Sequence, residues 1–268
     1  MTISKIGLIG SGNIGAAFVR GWIKADPSMA DSITITDAVP AAAERLSQET
    51  GVAIASTNTE LVAGSDIVVL SVKPGDVGAA LEGTAPEFNR GKILASVAAG
   101  RTIASLENLF PDGVAVFRLM PNVAVEVCAG TISFASGSHV DPDTEERVYE
   151  LFSLLGRVIH LPEYLFSAAT AIGGSGPGFL ALIVDAFVDA GVMAGLPAAA
   201  ARELTYSMVY GTGKLLEEAR VSPSELRHRV TSPAGTTAAG IAQMERDGAR
   251  SAVIDAVQAA LRRANELG

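Results

Sequence analysis

The residues with the clearest chemical potential are Gly10-Ser11-Gly12-Asn13-Ile14-Gly15, which lie between the apolar run Ile6 to Ile9 and a helical pattern from Ala16 to Lys24. In such a strand, turn and helix, Gly10 permits the tight turn and Gly12 lets backbone approach a pyrophosphate. Gly15 lets helix and strand pack closely, and the helix N-terminus offers free amides to phosphate charge. The pattern predicts dinucleotide binding. Asp37 ends the second apolar run, about 20 residues further on, where a carboxylate accepts hydrogen bonds from the adenosine ribose hydroxyls and repels a 2′-phosphate. No Lys or Arg follows until Arg45, so charge favours NADH over NADPH as the form of NAD(P)H used. Ser71-Val72-Lys73-Pro74 closes the run that begins at Ile67, at the carboxyl edge of the expected sheet, where open α/β sheets bind ligands.

Other chemistries find little support. His139, His160 and His228 stand far apart, and none has ligand-like spacing to Cys128 or to a carboxylate cluster, so no metal site is expected. Cys128 is the only cysteine, which excludes an intrachain disulfide and suits a reducing, cytoplasmic setting. The opening MTISKIGLIG lacks the apolar core and cleavage site of a signal peptide. With 20 Lys and Arg against 29 Asp and Glu, a net charge of −9 and only 5% aromatic residues, the chain has neither a basic track nor a stacking platform for nucleic acid. An anionic membrane surface is an equally poor partner.

The elements that must position these residues follow from the apolar pattern. Short runs at Ile6 to Ile9, Ile33 to Thr36, Ile67 to Val72, Ile93 to Val97, Val114 to Leu119, Thr131 to Phe134 and Val158 to Leu161 alternate with helical stretches. Such alternation predicts an α/β fold, a Rossmann-type doubly wound and mostly parallel sheet over residues 1–162. From 163 to 268 the β-branched runs stop, and an all-helical second domain is expected. One helix starts near Pro177 and runs to Gly191 or Gly195, another starts at Pro197, and a third follows a Ser222 to Glu225 capping box. The last repeats Ala252, Val253, Ala256, Val257, Ala260 and Leu261 on one face. The uncharged stretch from Tyr164 to Val184 has the length to span a membrane, but Gly173 to Gly178 interrupts it and predicts a loop feeding a helix. That helix is apolar nearly all round, so it must be covered on several faces, by another subunit or by the centre of a monomeric bundle.

Further segments join these in one order: Ala98-Ala99-Gly100, Arg118-Leu119-Met120-Pro121-Asn122, Gly174-Ser175-Gly176-Pro177, Gly195-Leu196-Pro197 and Val230-Thr231-Ser232-Pro233-Ala234-Gly235-Thr236-Thr237-Ala238-Ala239-Gly240. Together they resemble the pyrroline-5-carboxylate reductase family over nearly the whole chain. The resemblance implies NAD(P)H-dependent reduction of L-1-pyrroline-5-carboxylate to L-proline, the last step of proline biosynthesis, in cytosolic homo-oligomers built on the C-terminal helices. It implies cofactor binding by Gly10 to Gly15, Asp37, Asn58, Ser71, Val72, Lys73, Pro74 and Ala99. Substrate binding falls to Glu163, Val230, Ser232, Gly235, Thr236 and Thr237. The chain departs from the family pattern at Gly178-Phe179, where Ala-Tyr is usual, at His228-Arg229, and at Asp37, where many members carry Ser or Arg.

Imine reduction needs a hydride on carbon, a proton on nitrogen and an anchor for the substrate carboxylate. A helix over Thr236 to Glu245 would present amides and hydroxyls to that carboxylate without a cation that would oppose the protonated imine. Ser and Thr are also common helix N-caps, and without the resemblance these residues would read as caps. The cyclic imine takes its proton from water, and Thr237 is the expected hydrogen-bond partner of the ring nitrogen. Two other readings stand beside this one: a β-hydroxyacid dehydrogenase using Lys214, and a non-catalytic NAD(P)-sensing protein.

Overall fold

The computed structural model describes residues 4–88, 91–111 and 113–267; Met1 to Ile3, which open the sequence, lie outside them. Eight strands form one sheet: β1 (Ile6–Ile9), β2 (Ile33–Thr36), β3 (Ala53–Ile54), β4 (Ile67–Leu70), β5 (Ile93–Ser96), β6 (Ala115–Pro121), β7 (Gly130–Ser136) and β8 (Gly156–His160). Their spatial order is β3-β2-β1-β4-β5-β6-β7-β8. Every pairing is parallel except β6 with β7. The chain winds outward from β1 to β3, then returns to lay β4 on the other side of β1, which creates a topological switch point.

Alternation along the strands sends successive side chains to opposite faces, and both faces are buried. Ile6, Leu8, Ile67, Val69, Ile93 and Ala95 enter one core, whereas Ile9, Val68, Leu70 and Leu94 enter the other. The helices on these faces are α1 (Asn13–Ala25), α2 (Pro40–Thr50), α3 (Asn58–Gly64), α4 (Val77–Leu81), α5 (Ile103–Glu107) and α6 (Pro142–Ser153). The few aromatic rings concentrate where α1 meets α6. Trp22 has no exposed surface, lies 5.3 Å from the Phe18 ring and 5.6 Å from Phe152, and donates its indole N–H to Leu151 O at 3.1 Å. That bond lets a polar indole be buried without leaving its donor unpaired.

The remaining helices are α7 (Phe166–Ala169), α8 (Gly176–Met193), α9 (Ala198–Glu218), α10 (Pro223–Arg229), α11 (Thr236–Arg246) and α12 (Ala249–Leu267). The expected loop across Gly173 to Gly178 is not a loop. Thr170–Gly174 forms a π-helical turn between α7 and α8, its Gly173 carbonyl accepts from Asn122 Nδ2 at 3.1 Å, and Pro177 sits in the first turn of α8. Proline needs no N–H acceptor at a first turn, which is why a glycine- and proline-rich string still continues helically here.

Two compact units emerge: Met1–Gly174 together with Leu261–Gly268, and Ser175–Ala260. The first unit extends past Pro162 because Phe166 is buried among the residues of the second core. Within Ser175–Ala260 the buried residues are Ala201 and Thr205 alone. Large apolar side chains lie open instead: Leu182 is 74% exposed, Tyr210 72% and Met193 88%. By length and composition alone, Glu163–Met193 would suffice to cross a membrane. A monomeric soluble unit rarely leaves so much contiguous apolar surface bare, so these helices require a cover. Replacing Leu182 by Asp should dissociate the native assembly, seen by light scattering behind size exclusion as a shift from oligomer to monomer. A wild-type chain that is already monomeric would contradict this.

Candidate active site

The Gly10 to Gly15 loop sits at the switch point, and its three glycines differ in what surrounds them. Gly10 has φ +101°, and a Cβ there would lie 2.3 Å from Ser71 O. A Cβ on Gly15 would lie 2.0 Å from Gly10 O. Packing therefore requires both glycines. A Cβ on Gly12 would meet nothing within 4 Å, which leaves open space beside the backbone that begins α1. No side chain caps that helix, so its first-turn amides are free for an anion. Ser11 is only 8% exposed, yet its hydroxyl has no hydrogen-bond partner. A buried hydroxyl left unpaired costs about 1–3 kcal/mol. An acceptor brought by a ligand would remove that cost, so these residues fit a dinucleotide pyrophosphate.

Asp37 locks this loop to the end of β2. Its Oδ2 accepts from Ser11 N–H at 2.5 Å and its Oδ1 from Val39 N–H at 2.8 Å. Asn58 braces the floor: its Oδ1 accepts from Thr36 Oγ1 at 2.7 Å and its Nδ2 donates to Ala80 O at 2.8 Å. Both ends of the Asn58 amide are thus engaged by the protein. Lys92 Nζ closes the far end of α3 through Val62 O at 2.8 Å and Ala63 O at 2.9 Å. Ser71 follows β4 and donates its N–H to Ile9 O at 2.8 Å, which carries the β1–β4 pairing into the loop of Val72, Lys73 and Pro74.

Next to this edge, Ala99, Gly100, Thr102, Arg118, Glu163 and Thr170 line a cavity of about 270 Å³. Glu163 Oε1 accepts from Ile103 N–H at 2.7 Å and from Arg118 Nη1 at 2.8 Å. Arg118 is 9% exposed, its guanidinium lies 4.9 Å from the centre of the Phe166 ring, and its Nε has no partner. Sequence reasoning did not single out Arg118 as a site residue. Its signal was a lone cation inside the apolar run Val114 to Leu119, where a charge is buried only if something pairs it.

The other expected substrate residues belong to the second unit. Val230, Ser232, Gly235, Thr236 and Thr237 come together where α10 gives way to α11. Gly235 is the N-cap and offers no side chain, so the first amides of α11 are uncapped. A Cβ on Gly235 would lie 2.3 Å from Ser232 Oγ and would displace that hydroxyl. Ala234 holds φ +59°, a left-handed conformation that costs a non-glycine residue roughly 1–2 kcal/mol. The turn is therefore strained into shape ahead of any ligand. Glu163 belongs to the first unit. Lys214 forms an exposed i,i+4 pair with Glu218 at 3.6 Å, as expected of a solvated helix lysine.

The chain is similar to known proteins along its whole length. A family model described as pyrroline-5-carboxylate reductase dimerisation matches residues 163–267, and one described as NADP oxidoreductase coenzyme F420-dependent matches residues 5–100. The pyrroline-5-carboxylate reductase of Synechocystis sp. is 36% identical over 98% of both chains. That of Methanosarcina acetivorans is 35% identical and covers 100% of this chain and 99% of its own. Among solved structures, pyrroline carboxylate reductase from Plasmodium falciparum with NADP bound superposes with a TM-score of 0.89 at 26% identity, covering 100% of this chain and 99% of that one. The dimerisation match covers the helices left bare in the single chain, which makes it a homo-oligomer. With identity of this order sustained from end to end, the chain belongs to the pyrroline-5-carboxylate reductase family.

Proposed function

We propose that the chain reduces L-1-pyrroline-5-carboxylate to L-proline in the cytoplasm, with NAD(P)H as reductant and NADH preferred. The observation that carries the reading is the buried Ser11 hydroxyl without a partner, set beside the open backbone of Gly12 and an uncapped helix. When bound, the nicotinamide supplies the hydride that adds to the imine carbon. Gly10, Ser11, Gly12, Asn13, Ile14 and Gly15 hold the pyrophosphate through amides and the Ser11 hydroxyl. Asp37 receives the ribose hydroxyls on the lone pairs that Ser11 N–H and Val39 N–H leave free. Ser71, Val72, Lys73, Pro74 and Ala99 form the wall at the carboxyl ends of β4 and β5, and Asn58 holds that edge from beneath.

On the substrate side, the uncapped start of α11 and the Ser232 and Thr236 hydroxyls bind the carboxylate. Gly235 keeps the space open, and Val230 lines it with an apolar side chain. Thr237 hydrogen-bonds the ring nitrogen and orients the imine rather than acting as a strong acid. Glu163 contributes through Oε2, the oxygen that Arg118 and Ile103 do not occupy. The start of α11 anchors the carboxylate without a cation of its own, the Arg118 charge is paired with Glu163, and positioning then supplies most of the acceleration. The lone Cys128, whose Sγ donates to Gly21 O at 3.3 Å, is in keeping with a cytoplasmic setting.

Thr237→Val should lower kcat by roughly tenfold to a hundredfold, the loss of a hydrogen bond made at the reacting group. Calorimetric affinity for NADH should stay within about twofold of wild type. An unchanged proline-forming rate would remove Thr237 from the mechanism. Asp37→Ser retains an acceptor for Val39 N–H but deletes the charge, and should raise NADPH efficiency relative to NADH by about tenfold or more. Unaltered selectivity in steady-state kinetics would show that Asp37 does not set the preference.

A further inference from the structure

β4 and β5 run side by side until Val97 N–H donates to Leu70 O at 3.0 Å. Beyond that bond the chain leaves the sheet as two loops, Ser71 to Pro74 after β4 and Ala98 to Thr102 after β5. Among the described residues, the hydrogen bonds that join these loops past the ladder both come from Arg101. Its Nε and its Nη2 each donate to Pro74 O at 3.1 Å. Two donors in one rigid guanidinium plane fix direction as well as distance, which a lysine ammonium on a flexible stem does not. The same loop is tied again where α5 begins, through Ile103 N–H to Glu163 Oε1 at 2.7 Å. Ala99 and Gly100 thus lie between a ladder bond on one side and the Arg101 fork on the other.

We infer that Arg101 is a positioning residue for the dinucleotide: it clamps the Lys73-Pro74 loop to the Ala98-Ala99-Gly100 loop and so sets the width of the cofactor wall. The inference rests on the proposed reading that these loops hold NAD(P)H. Arg101 acts through Pro74, because the two donors described are both directed at that carbonyl. Without the clamp, each loop keeps its own anchors, the turn Pro74–Asp76 after one and the Ile103 to Glu163 bond after the other, but no described hydrogen bond past the ladder fixes one loop against the other, and binding must set their spacing at a cost in affinity. Neither the sheet nor the helices depend on the fork, so the effect is local.

The test compares wild type, Arg101→Ala and Arg101→Lys by hydrogen exchange of the free protein and by calorimetric titration with NADH and with NADPH. In Arg101→Ala the amides of residues 71–78 and 98–103 should exchange about tenfold faster, while those of β1 and β5 keep their wild-type protection. Kd should rise by roughly fivefold to tenfold for both dinucleotides, with Arg101→Lys falling between. Unchanged loop exchange would overturn the clamp, as would equal affinity of wild type and Arg101→Ala. Weakening of NADPH alone, with both loops as protected as in wild type, would make Arg101 a phosphate contact and would overturn it too. Failure of wild type to bind either dinucleotide would overturn the cofactor reading and this inference together.

Discussion

The carbonyl of Ser71 and the backbone of Gly10 approach so closely that no side chain fits between them. That contact is where β1 and β4 part at the switch point, and the Gly10 to Gly15 edge is arranged around it. Gly10 donates its N–H to Thr36 O at 2.9 Å, and Ser71 donates to Ile9 O at 2.8 Å, so three strand ends are tied at one place. Asp37 then reaches Ser11 N–H from the neighbouring strand, and Gly15 brings the start of α1 against the turn. The result is a rigid frame whose free groups are a buried hydroxyl, uncapped amides and open space beside Gly12. Preorganised donors of this kind are what an anionic ligand binds best, because they need no reordering when it arrives.

The second unit shows the opposite economy. Its helices carry an apolar excess but bury only Ala201 and Thr205 below the surface of the single chain. Aliphatic side chains that a large domain would cover with its own layers are instead left for another copy of the chain. Association and the shape of this unit are therefore one problem, since ordering exposed Leu, Phe and Met side chains costs entropy that only burial offsets. The family match to a dimerisation domain over 163–267 gives that surface its occupant.

Local features of the sheet were legible in the sequence because they depend on short-range periodicity. The runs at Ile6, Ile33, Ile67 and Ile93 became strands, and the glycine turn stands where strand, turn and helix chemistry put it. The Ser222 cap binds Glu225 N–H at 3.1 Å as its spacing implied. What escaped was long-range or very short. β3 has two residues, too few for any alternation. The Gly173 to Gly178 string looked like a loop, and its helical course is joined by a bond to Gly173 O from Asn122, a residue 51 positions earlier. Arg101 and Pro74 lie 27 positions apart, and Arg118 and Glu163 45, so no local pattern could have joined them. The Ser232 to Thr237 segment was legible as a helix start, whereas its proposed substrate role came only from the resemblance to a family.

In the proposed reaction a carboxylate-bearing cyclic imine is reduced by a dinucleotide held at the switch point. It is tested most directly by steady-state oxidation of NADH and of NADPH by the wild-type protein in the presence of L-1-pyrroline-5-carboxylate, with proline quantified as product. One proline should form per dinucleotide oxidised, with a higher kcat/KM for NADH. Absence of imine-dependent oxidation with both dinucleotides, in protein shown to bind them, would contradict it.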